Sequence, residues 1–188
     1  LTKYHQEQAI MISCTSLGIP CVAFRYQNVY GPGQSLSNPY TGILSIFSTR
    51  IKQQKSINIF EDGKESRDFV FIDDVVTATL LGIEKEEANY KIFNVGTGVA
   101  TTVLDVAHAL MKNYKTEVPL EISGQYRKGD IRHNFADINY IQNELNFSPT
   151  INFETGISLF CKWVNQQTLS EDKYDTSLQE MKTKGLLK

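Results

Sequence analysis

A short apolar run of β-type residues, Cys21-Val22-Ala23-Phe24, leads directly into Arg25-Tyr26-Gln27-Asn28-Val29-Tyr30-Gly31-Pro32-Gly33, a loop punctuated by glycine and proline. A buried strand that empties into a polar loop is how an α/β fold presents ligand-binding groups at the carboxyl edge of a parallel sheet. The pattern continues along the chain. Helical apolar spacing is expected over Thr2–Leu17, stopped by Gly18, and again over about Gly42–Gln54, where Ile43, Ile46, Phe47 and Ile51 share a face. Strands are expected at Pro20–Tyr26, Ile57–Phe60, Arg67–Ile72, Lys91–Val95 and Val118–Ile122. Asp73 or Asp74 would cap a helix running to about Glu87. Thr102, with Asp105 three residues on, would open another in a capping box that ends near Asn113. Helices near Asp137–Asn146 and Phe153–Gln167 follow, and Thr168–Lys188 reads as a loose tail or peripheral helix. Strands alternating with helices define an α/β class. Pro20–Tyr26 and Lys91–Val95 are the two runs expected to be fully buried parallel strands.

Composition narrows the function. The 188 residues carry a net charge of −2 without a Lys/Arg block, which gives nucleic-acid or anionic-membrane binding little support. No segment approaches the roughly 18 apolar residues of a membrane helix. Cys14, Cys21 and Cys161 lack metal-type spacing and read as reduced thiols of a cytoplasmic protein. His5, His108 and His133 show no ligand spacing either, so no metal site is expected. Gly31-Pro32-Gly33 and Gly96-Thr97-Gly98 are G-x-G pairs that do not complete a G-x-G-x-x-G dinucleotide fingerprint.

Five ordered segments carry a resemblance. Leu1-Thr2-Lys3 resembles the end of a Tyr-x-x-x-Lys motif, and Arg25–Pro32 resembles R-Y-x-N-V-Y-G-P. Arg67–Val75 resembles R-D-F-V-x-V-x-D-V, Asn94–Gly98 resembles N-V-G-x-G, and Arg127–Asp130 resembles R-P-G-D. Together they resemble the extended short-chain dehydrogenase/reductase family, specifically its NAD-dependent nucleotide-sugar epimerases and dehydratases, over about residues 1–165. The resemblance implies the C-terminal part of a Rossmann-like doubly wound fold plus a smaller α/β substrate lobe. Residues 1–30 and 90–115 would belong to the NAD-binding domain, 31–89 and 116–167 to the nucleotide-sugar lobe, and 168–188 to a tail. The expected reading is a C-terminal portion of a longer enzyme, with the fragment alone inactive.

The same resemblance implies roles. The Lys3 ammonium would bond the nicotinamide ribose and lower the pKa of a tyrosine one helical turn earlier, which acts as general base. Adjacent Tyr4 points elsewhere on a helix and cannot replace that tyrosine. Backbone at Tyr26 and Val29 would meet the nicotinamide, and Asn28 the nucleotide-sugar diphosphate. Arg67 and Arg127 are expected to grip phosphate oxygens, since guanidinium forks suit them. Asp130 would bond Arg127 or the nucleotide ribose, Asn58 and Phe60 would receive the pyrimidine base, and Gly42 would approach the substrate closely. Tyr30 and Tyr40 are expected to pack rather than touch sugar. The implied cofactor is NAD and the implied partner a UDP- or dTDP-hexose, in a homodimer. The expected reaction is 4-epimerisation through a 4-keto sugar. A 4,6-dehydratase, a non-catalytic binding domain and a degenerate relative used for protein association are the alternatives.

Overall fold

The computed structural model describes residues 2–36, 42–168 and 174–188. Tyr40 lies outside them, as do Leu1 and 169–173. The chain divides into two compact units. The first comprises 1–29, 68–99 and 135–151; the second comprises 30–67, 100–134 and 152–188. This partition cuts the chain differently from the sequence expectation. Residues 68–89 and 135–151 fall in the first unit, because they build the helices and core that cover its strands.

In the first unit, α1 (Thr2–Leu17) is followed by β1 (Val22–Tyr26), and β2 (Asn28–Tyr30) carries the chain into the second unit. The chain returns at β5 (Phe69–Phe71), α3 (Ile72–Glu84), a 3₁₀ turn at Glu86–Ala88, and β6 (Lys91–Val95). β1 and β6 pair in parallel, from Val22 opposite Lys91 to Tyr26 opposite Val95. β1 is half-buried at Val22–Phe24 and exposed at Arg25 and Tyr26, less enclosed than its sequence suggests. The core gathers Val70, Val75, Ala78, Phe93 and Val95 with Ile141, Leu145 and Phe147. The last three surround α5 (Asn139–Leu145), which Lys91 secures by an ion pair to Glu144.

The second unit is built on α2 (Ile43–Lys52), α4 (Val103–Tyr114) and α6 (Phe153–Asn165), packed in sequence with α4 in the middle. Their inward stripes are Leu44, Phe47 and Ile51; Val106, Leu110 and Met111; and Ile157, Phe160 and Val164. Such i, i+3/i+4, i+7 spacing places apolar side chains on one helical face. β3 (Ile57–Ile59) pairs in parallel with β8 (Leu120–Ile122), two residues later than the expected start at Val118. A second small sheet has the order β7-β4-β9, from Thr101–Thr102, Ser66–Arg67 and His133–Asn134. The capping box at Thr102 is present: its hydroxyl accepts from the Asp105 amide at 3.1 Å, and Asp105 accepts from the Thr102 amide at 3.1 Å.

One expectation is corrected. The strand foreseen over Arg67–Ile72 is broken at Asp68 into β4 and β5, because the Asp68 side chain turns inward to bind backbone. Of the two readings of the C-terminal stretch, the peripheral helix is the one its described residues take. α7 (Tyr174–Thr183) is fastened by Arg50, whose guanidinium lies 5.1 Å from the Tyr174 ring centroid and 3.0 Å from Asp175 Oδ1. Beyond it, Leu187 forms an isolated antiparallel bridge with Arg127.

Candidate nucleotide-sugar site

In the first unit, the carboxyl end of β1 is organised by two acidic residues. Arg25 reaches α1 with both arms of its fork, Nε to Glu7 Oε2 and Nη2 to Glu7 Oε1, each at 2.7 Å. The Arg25 cation holds the Glu7 carboxyl below the ordinary carboxylate range. Lys3 lies four residues before Glu7, hence on the same face of α1 and about 6 Å further along its axis. Lys3 is exposed. Tyr26 turns its ring onto α3, where its hydroxyl meets Thr79 Oγ1 at 2.8 Å. Asn28 is half-buried, and Val29 is exposed.

Asp68 ties this edge together. Its carboxylate is fully buried and accepts from the Thr97 amide at 2.8 Å, the Thr97 hydroxyl at 2.6 Å, the Gly98 amide at 2.9 Å and the Ala136 amide at 3.2 Å. Its own carbonyl accepts the Asn28 amide at 2.9 Å, while the Gln27 amide donates to the Val95 carbonyl at 2.9 Å. The Asn28 segment and the Gly96-Thr97-Gly98 turn are thus joined through one residue. Gly96 is required here by space, since a Cβ would collide with Asp68 Oδ2 and come within 2.8 Å of the Gln27 side chain. Sequence reasoning assigned Asp68 no role; the available signal was a carboxylate placed within an otherwise apolar strand. Asp74 corrects another expectation. It does not cap α3, whose N-cap Phe71 has no side-chain bond. Asp74 is buried and accepts instead from the Thr150 amide at 2.9 Å, the Thr150 hydroxyl at 2.8 Å and the Ile151 amide at 3.1 Å.

The second unit brings Phe60, Arg67, Arg127 and Asp130 around one loop, residues 125–134, while Asn58 lies in β3 opposite Glu121. The Glu61 amide donates to the Gln125 carbonyl at 2.8 Å, continuing the β3–β8 edge into this loop. Arg127 places its guanidinium 5.3 Å from the Phe60 ring centroid, a cation–π distance. Its Nε is buried and has no hydrogen-bond partner among the described residues. The same holds for Asn58 Oδ1 in β3. Arg67 donates through Nη1 to the Ser66 carbonyl at 2.8 Å and the Arg132 carbonyl at 3.1 Å, and through Nη2 to Asp130 Oδ1 at 2.9 Å. Asp130 thus takes Arg67 with its side chain; toward Arg127 it offers its backbone amide, at 3.1 Å from the Arg127 carbonyl. Arg132 is spent on Glu61 and Asp62. His133 Nδ1 lies 2.9 Å from Ser66 Oγ. Gly42 sits at the N-cap of α2 with φ 86°, a left-handed conformation that a side chain resists, and a Cβ there would strike the Gln34 amide.

Buried polar atoms are normally paired, so the free Arg127 Nε and Asn58 Oδ1 mark positions where a ligand's acceptor and donor would complete the site. Among the described residues, no cluster of three or more His, Cys, Asp or Glu could hold a metal ion, and no helix is long and apolar enough to cross a membrane.

Parallel strands alternating with helices define an α/β protein. The sequence model described as the NAD dependent epimerase/dehydratase family matches residues 1–96, and the chain belongs to that family. It is 37% identical over 166 residues to a dTDP-L-rhamnose 4-epimerase of Burkholderia thailandensis, covering 88% of this chain and 46% of that protein. A crystal structure of UDP-glucose 4-epimerase with UDP-glucose from Thermotoga maritima superposes with a TM-score of 0.76 at 33% identity, over 87% of this chain and 52% of that one. UDP-glucuronic acid 4-epimerase from Bacillus cereus, solved with UDP-glucuronic acid and NAD, gives 0.73 at 25% identity, over 82% and 48%. The chain spans about half the length of these relatives.

Proposed function

We propose that this chain supplies the nucleotide-sugar site, and the lysine of the catalytic pair, of an NAD-dependent nucleotide-sugar 4-epimerase acting on a UDP- or dTDP-hexose. The observation that carries the reading is Arg127: a guanidinium stacked on Phe60 with a buried, unpartnered Nε. Arg67 is tied to the same loop. Two guanidinium groups so placed suit the adjacent phosphates of a nucleoside diphosphate. Phe60 and Asn58 would receive the base, Asp130 would order Arg67 and meet the ribose, and Gly42 would admit the substrate where a Cβ would block it. The family resemblance assigns Asn28 to the diphosphate as well.

The residues present also fit the nicotinamide end of NAD. Lys3 is an exposed donor near the start of α1, and Tyr26 has turned its ring onto α3, so the backbone at Tyr26 and Val29 would meet the cofactor. NAD, when bound, supplies the hydride acceptor and donor for oxidation and re-reduction at C4. The Lys3 ammonium would orient the ribose and favour the ionised form of a neighbouring tyrosine through its charge.

Incubating the full-length enzyme with UDP- and dTDP-hexoses and following the C4 configuration by proton NMR tests the reading. Inversion at C4 is expected. Release of a 4-keto-6-deoxy sugar would instead identify a dehydratase, and no turnover of any hexose would refute both. The 188-residue chain alone is expected to bind nucleoside diphosphate but not to turn over. We also propose a cytoplasmic homodimer. The cysteines Cys14, Cys21 and Cys161 are all free, which suits a reducing compartment. α1 leaves Ile10, Ile12 and Leu17 more than half exposed, apolar area that a second copy would bury. Sedimentation of the full-length protein as a monomer would remove the dimer.

A further inference from the structure

The polypeptide after α7 is part of the Arg127 loop. The Tyr126 amide donates to the Lys188 carbonyl at 2.8 Å, the Lys188 amide to the Tyr126 carbonyl at 3.0 Å, and the Lys128 amide to the Leu186 carbonyl at 2.8 Å. Arg127 and Leu187 are therefore directly opposed in an antiparallel bridge. Since the bonds flank the pair and do not join it, this is the close, non-hydrogen-bonded kind, with Cα atoms about 4.5 Å apart and both side chains on one face. Leu187 is 7% exposed. The segment is not free to drift. α7 is pinned at its start by Arg50, and the chain turns back at Gly185, with the Leu186 amide bonding the Met181 carbonyl at 2.9 Å.

We propose that Leu187 is a positioning residue of the nucleotide-sugar site: set across the bridge from Arg127, it confines the arginine stem beside Phe60 and so fixes the direction in which the guanidinium is presented. The proposal rests on the reading of Arg127 as a diphosphate ligand. Arg127 would otherwise have only a weak cation–π contact to hold a long side chain whose Nε finds no protein acceptor. An apolar neighbour on the same face removes its other rotamers without competing for its hydrogens, which a polar neighbour would do. The C-terminal segment therefore acts as a brace, and its one inward side chain belongs functionally to the binding loop.

The test is a double-mutant cycle in the full-length protein, with UDP and dTDP as probes in isothermal titration. Leu187→Gly, or the milder Leu187→Ala if the first does not fold, is expected to raise Kd roughly three- to tenfold, within the range of coupled neighbours. Leu187→Met should restore it. In an Arg127→Ala background the Leu187 substitution should have no further effect. An equal loss in both backgrounds would overturn the proposal, because a purely structural role does not depend on Arg127. Hydrogen exchange of the Arg127 Nε–H, read by NMR without ligand, separates the two claims. It should accelerate at least about tenfold in Leu187→Ala, as for loss of a local brace. Unchanged exchange overturns the positioning role whatever binds. Equal probe affinity of wild type and Arg127→Ala, with accelerated exchange, refutes Arg127 as a ligand and leaves its confinement by Leu187 standing.

Discussion

Replacing Asp68 by asparagine should cost far more than its near-identical shape suggests. Oδ1 of the carboxylate takes the Thr97 amide and hydroxyl, while Oδ2 takes the Gly98 and Ala136 amides and shares the Thr97 amide at 3.1 Å. An asparagine must put its NH2 in one of these places. At Oδ2 it would face three backbone N–H groups, so the cheaper orientation is at Oδ1, where the Thr97 hydroxyl can rotate and accept. The Thr97 amide then keeps only its longer bond to Oδ2, at 3.1 Å. The remaining bonds drop to neutral strength, roughly half their former value. The total is about 3 kcal/mol, a large share of a typical folding free energy. Asp68→Ala, which strands every one of these donors in a buried site, should cost more. Urea unfolding is the assay; with a slope of about 1–3 kcal/mol/M, the asparagine variant should lose about 1–3 M in midpoint. Amide exchange at Thr97, Gly98 and Ala136 should rise more than elsewhere. A loss below about 1 kcal/mol, or asparagine worse than alanine, would refute the reasoning.

Three further outcomes follow from other sites. Arg67→Ala should weaken nucleotide-sugar binding by about 1.5–3 kcal/mol, or roughly 10- to 150-fold in Kd by titration; unchanged affinity would remove Arg67 from the site. Burial, reinforced by nearby Glu61, raises the Glu65 carboxyl above its ordinary 4.5. The folded state thus binds the Glu65 proton more tightly than the unfolded state does. Its contribution to stability is complete below pH about 4.5 and is lost as pH rises through the raised folded value. Glu65→Gln should therefore be more stable than wild type at pH 7 and lose that advantage below pH about 4.5, as read by thermal melts across pH. Burial also pushes the Cys161 thiol up to about 11. Iodoacetamide at pH 8 should accordingly label Cys14 well before Cys161, as scored by peptide mass spectrometry.

Periodicity made most of the fold legible because it reports on a single face at a time. The stripe Ile43, Ile46, Phe47 and Ile51 located α2, and Thr102 with Asp105 located the start of α4, each from local chemistry. The C-terminal stretch was less legible for the opposite reason. α7 is held by Arg50, 125 residues away from Asp175 in sequence, and residues 186–188 are held because Tyr126–Lys128 offers them an edge. A weakly patterned segment gives no sign of partners supplied by another part of the chain.

The acidic residues show where sequence reasoning about a site ends. Asp74 looks like a helix cap because it stands in the first turn of α3, yet it is drawn to the amides at Thr150 and Ile151. Asp68 looks like a strand residue between Arg67 and Phe69, yet it interrupts the strand to gather four donors. In both cases a buried carboxylate binds unpaired backbone amides that lie far along the chain. A motif reading can name such residues but cannot distinguish a ligand from a clasp, because both demand the same invariant chemistry: a carboxylate with nowhere else to go. The arginines differ in kind. The charge of Arg67 is matched by Asp130. Arg127 Nε has no acceptor among the described residues. An unmatched buried donor costs about 1–3 kcal/mol in the unliganded protein, a cost that an incoming phosphate oxygen would remove. That asymmetry makes Arg127, more than Arg67, the residue on which the nucleotide-sugar reading stands, and it gives the segment ending at Lys188 its function.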